Sequence, residues 1–309
     1  MKRALIATLF NEADNVSRWW DCLMRQTVWP DEIVIVDGGS TDGTWEALQE
    51  LARQSPIPVK LEQRRCNIAA GRNQAIRLTD ADIIAATDAG SFPEPEWFHE
   101  IIRPLLEDDS VDCVGGLNVS DQENAFSNYL ALFEPRTDLE AAIAAGNTEV
   151  HPSSRNIAFR RAAWAAVGGY PEWLTLAAED TLFNCELHVV GKKFLLNKKA
   201  VVHWSVRDSA EAYLKLLYRN AYGSAEARLD ASYFLRKSLI TFFPPLLLLS
   251  RHRFRHLKFR YGKNAASTRG WLAGYFKGNK PPIGWKRVDG VLLSPEAQSY
   301  LANNRHRHE

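Results

Sequence analysis

The stretch EIVIVDGGSTDGT at positions 32–44 most constrains the fold. Four consecutive apolar residues at 33–36 predict a buried strand, which ends in Asp37 and runs through a Gly-rich turn into a helix. In open α/β sheets, ligands bind outside the carboxyl ends of parallel strands, so an acid at that end faces the ligand. Asp37 could instead cap the next helix, but the residues at 40–42 are nearer to it. We therefore predict that Asp37 belongs to a ligand site.

The same pattern recurs in DIIAATD at 82–88, where a second predicted strand ends in Asp88. Two acids at the ends of parallel strands can face one crevice, where a diphosphate and its metal would neutralise both. A helix predicted over 68–78 carries Arg72 near its beginning, a position that suits an anionic group. Further strands are predicted at 3–9, 59–62, 111–119, 194–196 and 201–204, and further helices at 44–53, 96–107, 162–167 and 208–229. This alternation predicts an α/β fold.

The charges are distributed unevenly along the 309 residues. Residues 1–205 contain 19 Lys and Arg against 30 Asp and Glu, whereas residues 206–309 contain 19 against 7. An acidic lobe could recruit a divalent metal, and a basic region could meet anionic lipid or an anionic polymer. The four cysteines form no Cys-x-x-Cys pair, and the first residues do not match an export signal, so we expect a cytoplasmic protein.

An apolar run of 11 residues at 239–249 precedes a basic segment at 251–263. The run contains Pro244 and Pro245 and is too short for a spanning helix, which needs about 20 apolar residues. It could lie in a membrane interface beside its basic flank, pack as a buried helix on the rest of the chain, or form a dimer contact. These alternatives stay open at the level of sequence.

Seven fragments of the chain, in this order and at similar spacing, resemble family 2 glycosyltransferases. They are ATLFNEADNV, EIVIVDGGSTDGT, AAGRNQAI, IIAATDAGSFPEPEW, SSRNIAFRR, GGYPE and AEDTLF, and together they cover about residues 3–204. The resemblance implies a GT-A fold, a Rossmann-like mixed sheet flanked by helices, over residues 1–205. It also implies a nucleotide-sugar-binding half at 1–119 and an acceptor half at 120–205, which leaves 206–309 as a helical, basic C-terminal region.

The resemblance assigns donor-binding roles to five residues. Thr8 and Glu12 look like contacts to the nucleoside, Asp37 resembles the acid that recognises the base or ribose, and Arg72 resembles the residue near the diphosphate. Asp88 stands where the family's Asp-x-Asp motif begins.

The metal ligands implied by the resemblance are incomplete here. The chain reads Asp88-Ala89-Gly90, so the second carboxylate of Asp-x-Asp is missing. Mg²⁺ or Mn²⁺ prefers several oxygen ligands, which diphosphate oxygens and water could supply together with Asp88. His203 could be a further ligand or simply a histidine at a strand end.

Asp180 matches the family's catalytic acid. In an inverting transfer the acceptor hydroxyl attacks in line, so a positioned carboxylate must take its proton. Glu179 orients the acceptor or is structural, and both acids would also stabilise a helix N-terminus. Arg155 and Asn156 could line the sugar or acceptor site or cap a loop, and Trp204 is placed in the same acceptor region.

The resemblance thus implies a metal-assisted, inverting glycosyltransferase, and we expect it to act in cell envelope polysaccharide biosynthesis on a glycan or lipid-linked acceptor. A peripheral position on the inner face of a membrane and a homodimer are additional expectations, and no nucleic-acid partner is expected. One alternative is a sugar-nucleotide pyrophosphorylase, against which stands the lack of a Gly-rich phosphate loop after the first strand. Another is a catalytically silent relative that binds a partner.

Overall fold

A computed structural model describes residues 1–121, 125–132, 151–205, 209–249 and 256–304. Its main feature is an eight-stranded mixed sheet with the strand order β3-β2-β1-β4-β7-β6-β8-β5. The strands are β1 Arg3–Leu9, β2 Glu32–Asp37, β3 Val59–Gln63, β4 Ile83–Ala86, β5 Ser91–Pro93, β6 Cys113–Asp121, β7 Ile157–Arg160 and β8 Phe194–Ser205. A separate hairpin joins β9 Lys286–Val288 to β10 Val291–Leu293.

Helices cover the sheet and form most of the C-terminal region. They are α1 Ala13–Met24, α2 Thr44–Gln54, α3 Ile68–Arg77, α4 Trp97–Glu107, α5 Ala125–Leu130, α6 Arg161–Ala166, α7 Glu179–Val189, α8 Ala210–Glu226, α9 Ala231–Phe242, α10 Leu257–Lys277 and α11 Pro295–Asn304. A 3₁₀ helix spans Pro244–Leu249. Much of the predicted acceptor half between 120 and 150, and the basic residues 251–255, lie outside the described residues.

The N-terminal half of the sheet is parallel, as the sequence predicts. β1 pairs with β2 and with β4, and β2 pairs with β3, all in parallel. All six positions of β2 are buried, which explains its continuous apolar run, because a parallel strand is covered on both faces. In this register Leu9 lies beside Asp37, so the carboxyl ends of β1 and β2 form one edge.

The second half of the sheet differs from the predicted strands. Residues 194–196 and 201–204 belong to one strand, β8, which pairs with β6 on both sides of an irregularity at Gly116 and Leu117. A Cβ at Gly116 would collide with Ala200 O and with the Asn156 side chain, so only glycine allows the strands this close. β5 is a short strand that the sequence did not predict, and it pairs antiparallel with β8.

The C-terminal region packs against the rest of the molecule. α8 and α10 approach closely, since a Cβ at Gly270 or Gly274 would meet backbone carbonyls of α8. After α10 the chain returns to the sheet, where Leu293 and Ala297 are fully buried in the same cluster as Phe159. Residues 286–304 therefore share the core of the N-terminal sheet. Within the described ranges, no helix combines the length and apolarity needed to cross a membrane.

Candidate active site

A cavity of about 850 Å³ opens at the carboxyl ends of β1 and β4. The end of β1 with the start of α3 forms one wall, the segment 175–181 with the start of α7 forms another, and α8 forms a third. Its charged lining residues are Glu12, Arg72, Asp88, Arg155, Glu179, Asp180 and Arg219. Most of the predicted site residues thus come together in one place.

Arg72 links two of the acids that line the cavity. Its Nη1 donates to Glu179 Oε1 at 2.6 Å, and its Nη2 donates to Asp88 Oδ1 at 3.1 Å. Burial alone would lower the pKa of Arg72, but the Asp88 and Glu179 carboxylates outweigh it and raise the pKa above its ordinary value. The Arg72 guanidinium is therefore charged and forms ion pairs with the Glu179 and Asp88 carboxylates.

Glu179 is the buried partner in this arrangement. Burial and the neighbouring Asp180 carboxylate raise the pKa of Glu179, although Arg72 acts in the opposite direction. A buried carboxylate that faces a buried guanidinium is suited to fixing that guanidinium in place.

Asp180 lies in the first turn of α7 and is partly exposed in the cavity. The helix is preceded by Ala178 in the left-handed conformation (φ 72°), which turns the chain sharply before the two acids. Asp180 Oδ2 accepts from the backbone N–H of Ser154 at 3.4 Å, and Oδ1 accepts from its neighbour Thr181 N at 2.8 Å. The loop before β7 and the N-terminus of α7 together hold this carboxylate.

Asp88 faces the cavity as the acid predicted at the end of β4. Its side chain is 30% exposed, and one oxygen is bound by Arg72. A Cβ at Gly90 would meet no atom within 4 Å, so open space lies where Asp-x-Asp would place its second acid. At the Asp-x-Asp position the chain therefore carries the Asp88 carboxylate and no second acid.

The residues present fit a metal held through one protein ligand. Among the described residues, no group of three or more His, Cys, Asp and Glu side chains could hold a metal ion. Mg²⁺ and related ions are commonly bound by one or two carboxylates together with substrate phosphates. Asp88 satisfies that requirement. His203 hydrogen-bonds to Glu94 Oε1 at 2.9 Å and does not line the cavity.

Asp37 does not line the cavity, although its neighbour Gly38 does. Its carboxylate is fully buried and accepts from the backbone N–H groups of Gly39 and Ser40, the Ser40 hydroxyl and the Gln63 amide. The acid therefore closes its own turn, and a direct contact to the base or ribose stays a prediction.

The two residues predicted to contact the nucleoside both line the cavity. The Thr8 hydroxyl is buried and, within the described part of the chain, has no hydrogen-bond partner. Its methyl group lies against Gly71, where any side chain would collide with it. Glu12 accepts from the Asn15 amide at 2.8 Å at the start of α1. This end of the cavity carries polar groups suited to a ligand.

The residues predicted for the acceptor divide into two groups. Arg155 and Trp204 line the cavity, with the guanidinium 4.8 Å from the indole centroid. Asn156 is fully buried, accepts from Trp97 Nε1, and donates to the carbonyls of Leu117 and Ala200. Asn156 therefore joins α4 to the sheet and does not face the cavity.

Sequence reasoning missed the wall contributed by α8, which includes Arg219. Close packing makes this wall, since a Cβ at Gly223 would collide with Ala177 O. The Glu226 carboxylate also accepts from the Thr175 N–H and hydroxyl at 2.9 and 2.6 Å. Glycine inside a helix costs about 1 kcal/mol relative to alanine, so Gly223 was a signal of close backbone approach.

A family model described as glycosyl transferase family 2 matches residues 5–168, slightly more than half of the chain. The chain belongs to this family. Two curated relatives are a hyaluronan synthase of Pasteurella multocida, 29% identical over 154 residues, and the O-antigen chain rhamnosyltransferase RfbN of Salmonella typhimurium, 24% identical over 216 residues. These matches cover 46% and 66% of this chain but 15% and 67% of the two relatives.

Solved structures show the same fold. A mannosyltransferase from Pyrobaculum calidifontis in complex with GDP-Man and Mn²⁺ has a TM-score of 0.57 and 20% identity, covering 99% of this chain and 80% of that one. The TarS 1–349 structure from S. aureus in complex with UDP-GlcNAc has a TM-score of 0.55 and 16% identity, covering 94% and 96%. The predicted α/β fold of GT-A type, with a mixed sheet flanked by helices, is confirmed.

Proposed function

We propose that this family 2 member is a glycosyltransferase that moves a sugar from a nucleotide sugar to an acceptor hydroxyl, with inversion. The observation that carries the proposal is that Asp88 and Asp180 line one cavity and are connected through Arg72 and Glu179. The cavity volume of about 850 Å³ falls within the range of roughly 300–1,000 Å³ typical of small-molecule sites. A sugar diphosphate has room there.

The nucleotide would bind at the end of the cavity formed by β1 and the turn that leads into α1. Thr8 and Glu12 offer polar groups to the nucleoside, and Asp37 holds the turn whose Gly38 borders the same space. The diphosphate would lie beside Asp88. A divalent metal held by Asp88 would neutralise the charge of the departing nucleoside diphosphate.

Asp180 is the base in this proposal. The acceptor hydroxyl loses its proton as its oxygen bonds to the anomeric carbon, and a carboxylate at the cavity wall can accept that proton. Hydrogen bonds from Ser154 N and Thr181 N hold the Asp180 carboxylate in place. Glu179 is buried against Arg72, so its role is to position that guanidinium between Asp180's helix and Asp88.

The acceptor would enter between Arg155, Trp204 and α8. The indole ring of Trp204 can contact the apolar face of a sugar ring. Arg155 and Arg219, which lies on α8, can bind an acceptor that carries negative charge. Some relatives are named for polysaccharide products, including the hyaluronan synthase and the O-antigen rhamnosyltransferase. We therefore propose a glycan or lipid-linked acceptor in cell envelope polysaccharide biosynthesis, with the enzyme in the cytoplasm at the inner membrane face.

A panel of nucleotide sugars, assayed with Mn²⁺ for transfer and for donor hydrolysis, tests the proposal. Asp180→Asn should lower kcat by about 10²–10⁴-fold, because it removes the group that takes the proton. Binding of the nucleoside diphosphate, measured by calorimetry, should be retained. Asp14→Asn is the matched control, since Asp14 is also an acid in the first turn of a helix but does not line the cavity. Transfer unaffected by Asp180→Asn would remove the base assignment.

The second candidate is a catalytically silent member of the family that binds a partner. Gly90, which stands in place of a second acid, favours it. Nucleotide-sugar binding without turnover on any acceptor, in the wild type and in Asp180→Asn alike, would support this candidate.

A further inference from the structure

The helix α9 presents large apolar side chains to solvent. Leu235, Leu239 and Phe242 are 63%, 49% and 67% exposed and are spaced four and three residues apart, so they form one stripe along the helix. Phe243 and Leu246 are also exposed directly after the helix. Contiguous exposed apolar surface of this kind marks a site of interaction.

The opposite face of α9 is held against α10. Phe234 is buried and stacks on Trp271, with ring centroids 6.2 Å apart. The Thr241 hydroxyl lies 3.0 Å from the Thr268 hydroxyl. Phe234 and the Thr241 hydroxyl thus face the protein, while Leu235, Leu239 and Phe242 face outward and are not packed into the core.

The charge around α9 indicates whether its exposed face would contact a second copy of the chain or a lipid surface. Residues 231–288 contain 13 Lys and Arg and no Asp or Glu. On α9 itself Arg236 is exposed, and the Lys237 ammonium lies 5.1 Å from the Tyr233 ring centroid. A second copy that contacts this face through the same face, as in a two-fold dimer, would bring like charges together, whereas a surface of anionic lipid headgroups is complementary.

We propose that the outward face of α9 and the residues directly after it form an interfacial anchor for a bilayer that contains anionic lipids. At 12 residues, α9 is too short to span a membrane, so it lies in the interface with Leu235, Leu239 and Phe242 below the headgroups. Arg236 and Lys237 meet the lipid phosphates. This anchor does not depend on the transfer chemistry, and it is joined to the cavity through α10, which packs on α8.

Co-sedimentation of the full chain with vesicles tests the anchor. The protein should bind vesicles of phosphatidylcholine with about 30% phosphatidylglycerol, bind pure phosphatidylcholine more weakly, and be released as NaCl rises from about 50 to about 500 mM. The triple change Leu235→Gln, Leu239→Gln and Phe242→Gln should weaken partitioning by about 100-fold or more, since each apolar side chain contributes roughly tenfold. Arg236→Gln with Lys237→Gln should weaken binding to the anionic vesicles by about 30-fold and to neutral vesicles little.

The control is the pair Leu106→Gln and Leu195→Gln, which removes exposed leucines from α4 and β8. This pair should bind vesicles as the wild type does, and all variants should keep the wild-type Tm because the altered side chains are exposed. Failure of the wild type to bind anionic vesicles at low salt would overturn the proposal, as would a triple variant that binds normally. Sedimentation equilibrium tests whether the face instead binds a second copy of the chain. A wild type that dimerises but does not bind vesicles, together with a monomeric triple variant, would overturn the lipid proposal and assign the face to a dimer contact.

Discussion

Asp37 and Asp88 occupy equivalent places in the sequence pattern but different environments in the fold. Asp37 is the last residue of the buried strand β2, and Asp88 lies two residues beyond the end of the buried strand β4. Each acid precedes a Gly-containing turn that ends in serine. Asp37 is fully buried and does not line the cavity, whereas Asp88 is 30% exposed in its side chain and faces it.

The turn after each strand produces this difference. Ser40 N donates to the side chain of Asp37, so that carboxylate is used to close the turn. Ser91 N instead donates to the backbone carbonyl of Asp88, which leaves the carboxylate to Arg72 and the cavity. An acid at a strand end is therefore available to a ligand only when the turn does not need its side chain. Acids whose carboxylates accept several hydrogen bonds within the fold should therefore support stability, and acids exposed in the cavity should support activity.

The largest effect is expected from Arg72, which connects the two kinds of acid. Arg72→Gln should lower the free energy of unfolding by about 3–5 kcal/mol, because it leaves Glu179 buried without its counter-charge. Urea unfolding measures this change. Arg77→Gln on the same helix is the control, since its pair with Glu172 is exposed and contributes about 0–1 kcal/mol. Equal losses for the two variants would contradict the buried link.

Asp88→Asn should lower kcat by about 10²–10³-fold in the presence of Mn²⁺, because it weakens the cavity carboxylate that we propose as the ligand of the diphosphate metal. The free energy of unfolding should change less than in Asp37→Asn. Turnover at graded Mn²⁺ concentrations checks the assignment, and a variant with wild-type metal dependence would refute it. Asp109→Asn, at an acid that is 94% exposed, serves as the control.

Glu186 is a buried acid whose contribution to stability should depend on pH. Burial raises the pKa of Glu186 to about 8. Ser294 N donates to its Oε1 at 2.6 Å, and within the described part of the chain its Oε2 has no hydrogen-bond partner. Between pH 4.5 and 8 the folded state therefore keeps a proton that the unfolded chain has lost, so stability falls as pH rises through this window. Glu186→Gln should remove a loss on the order of 2–4 kcal/mol from pH 5 to pH 8.

Urea unfolding of the wild type and Glu186→Gln at these two pH values measures the difference. Parallel pH profiles of the two proteins would show that Glu186 is ionised in the folded state.

The smallest effect is expected from Asp37→Asn. The amide replaces a buried acceptor of four hydrogen bonds, which should lower the free energy of unfolding by about 1–3 kcal/mol. Calorimetric binding of a nucleoside diphosphate to the same variant then separates the roles. Unchanged stability with lost nucleotide binding would mean that Asp37 contacts the ligand. Asp37 and Asp88 would then both be ligand-binding acids, contrary to the difference described above.

The local sequence predicted the parallel half of the sheet because each strand there is a short apolar run between turns. Residues 33–36 and 83–86 are of this kind. It did not predict β5, whose three residues lie between turns and gain strand geometry only by pairing with β8. Nor did it join the pieces of β8, since the irregularity opposite Gly116 has no local signature.

The sequence predicted correctly that a residue lies at the cavity where its position follows from its own segment. Asp88, Asp180 and Arg72 lie where their strand end and helix starts place them. The burial of Asn156 depends on Trp97 and on two distant carbonyls, and the wall formed by α8 depends on Glu226 holding the 175–178 segment. Such contacts join residues far apart in the chain, so a reading of one segment at a time could not find them.

A crystal structure of the protein soaked with UDP or GDP and Mn²⁺ tests the central claim most directly. The account predicts a manganese anomalous peak within coordinating distance of the Asp88 carboxylate, with the diphosphate in the cavity and Asp180 across from it. Nucleotide and metal bound on another surface, with this cavity filled by solvent or moved side chains, would contradict it.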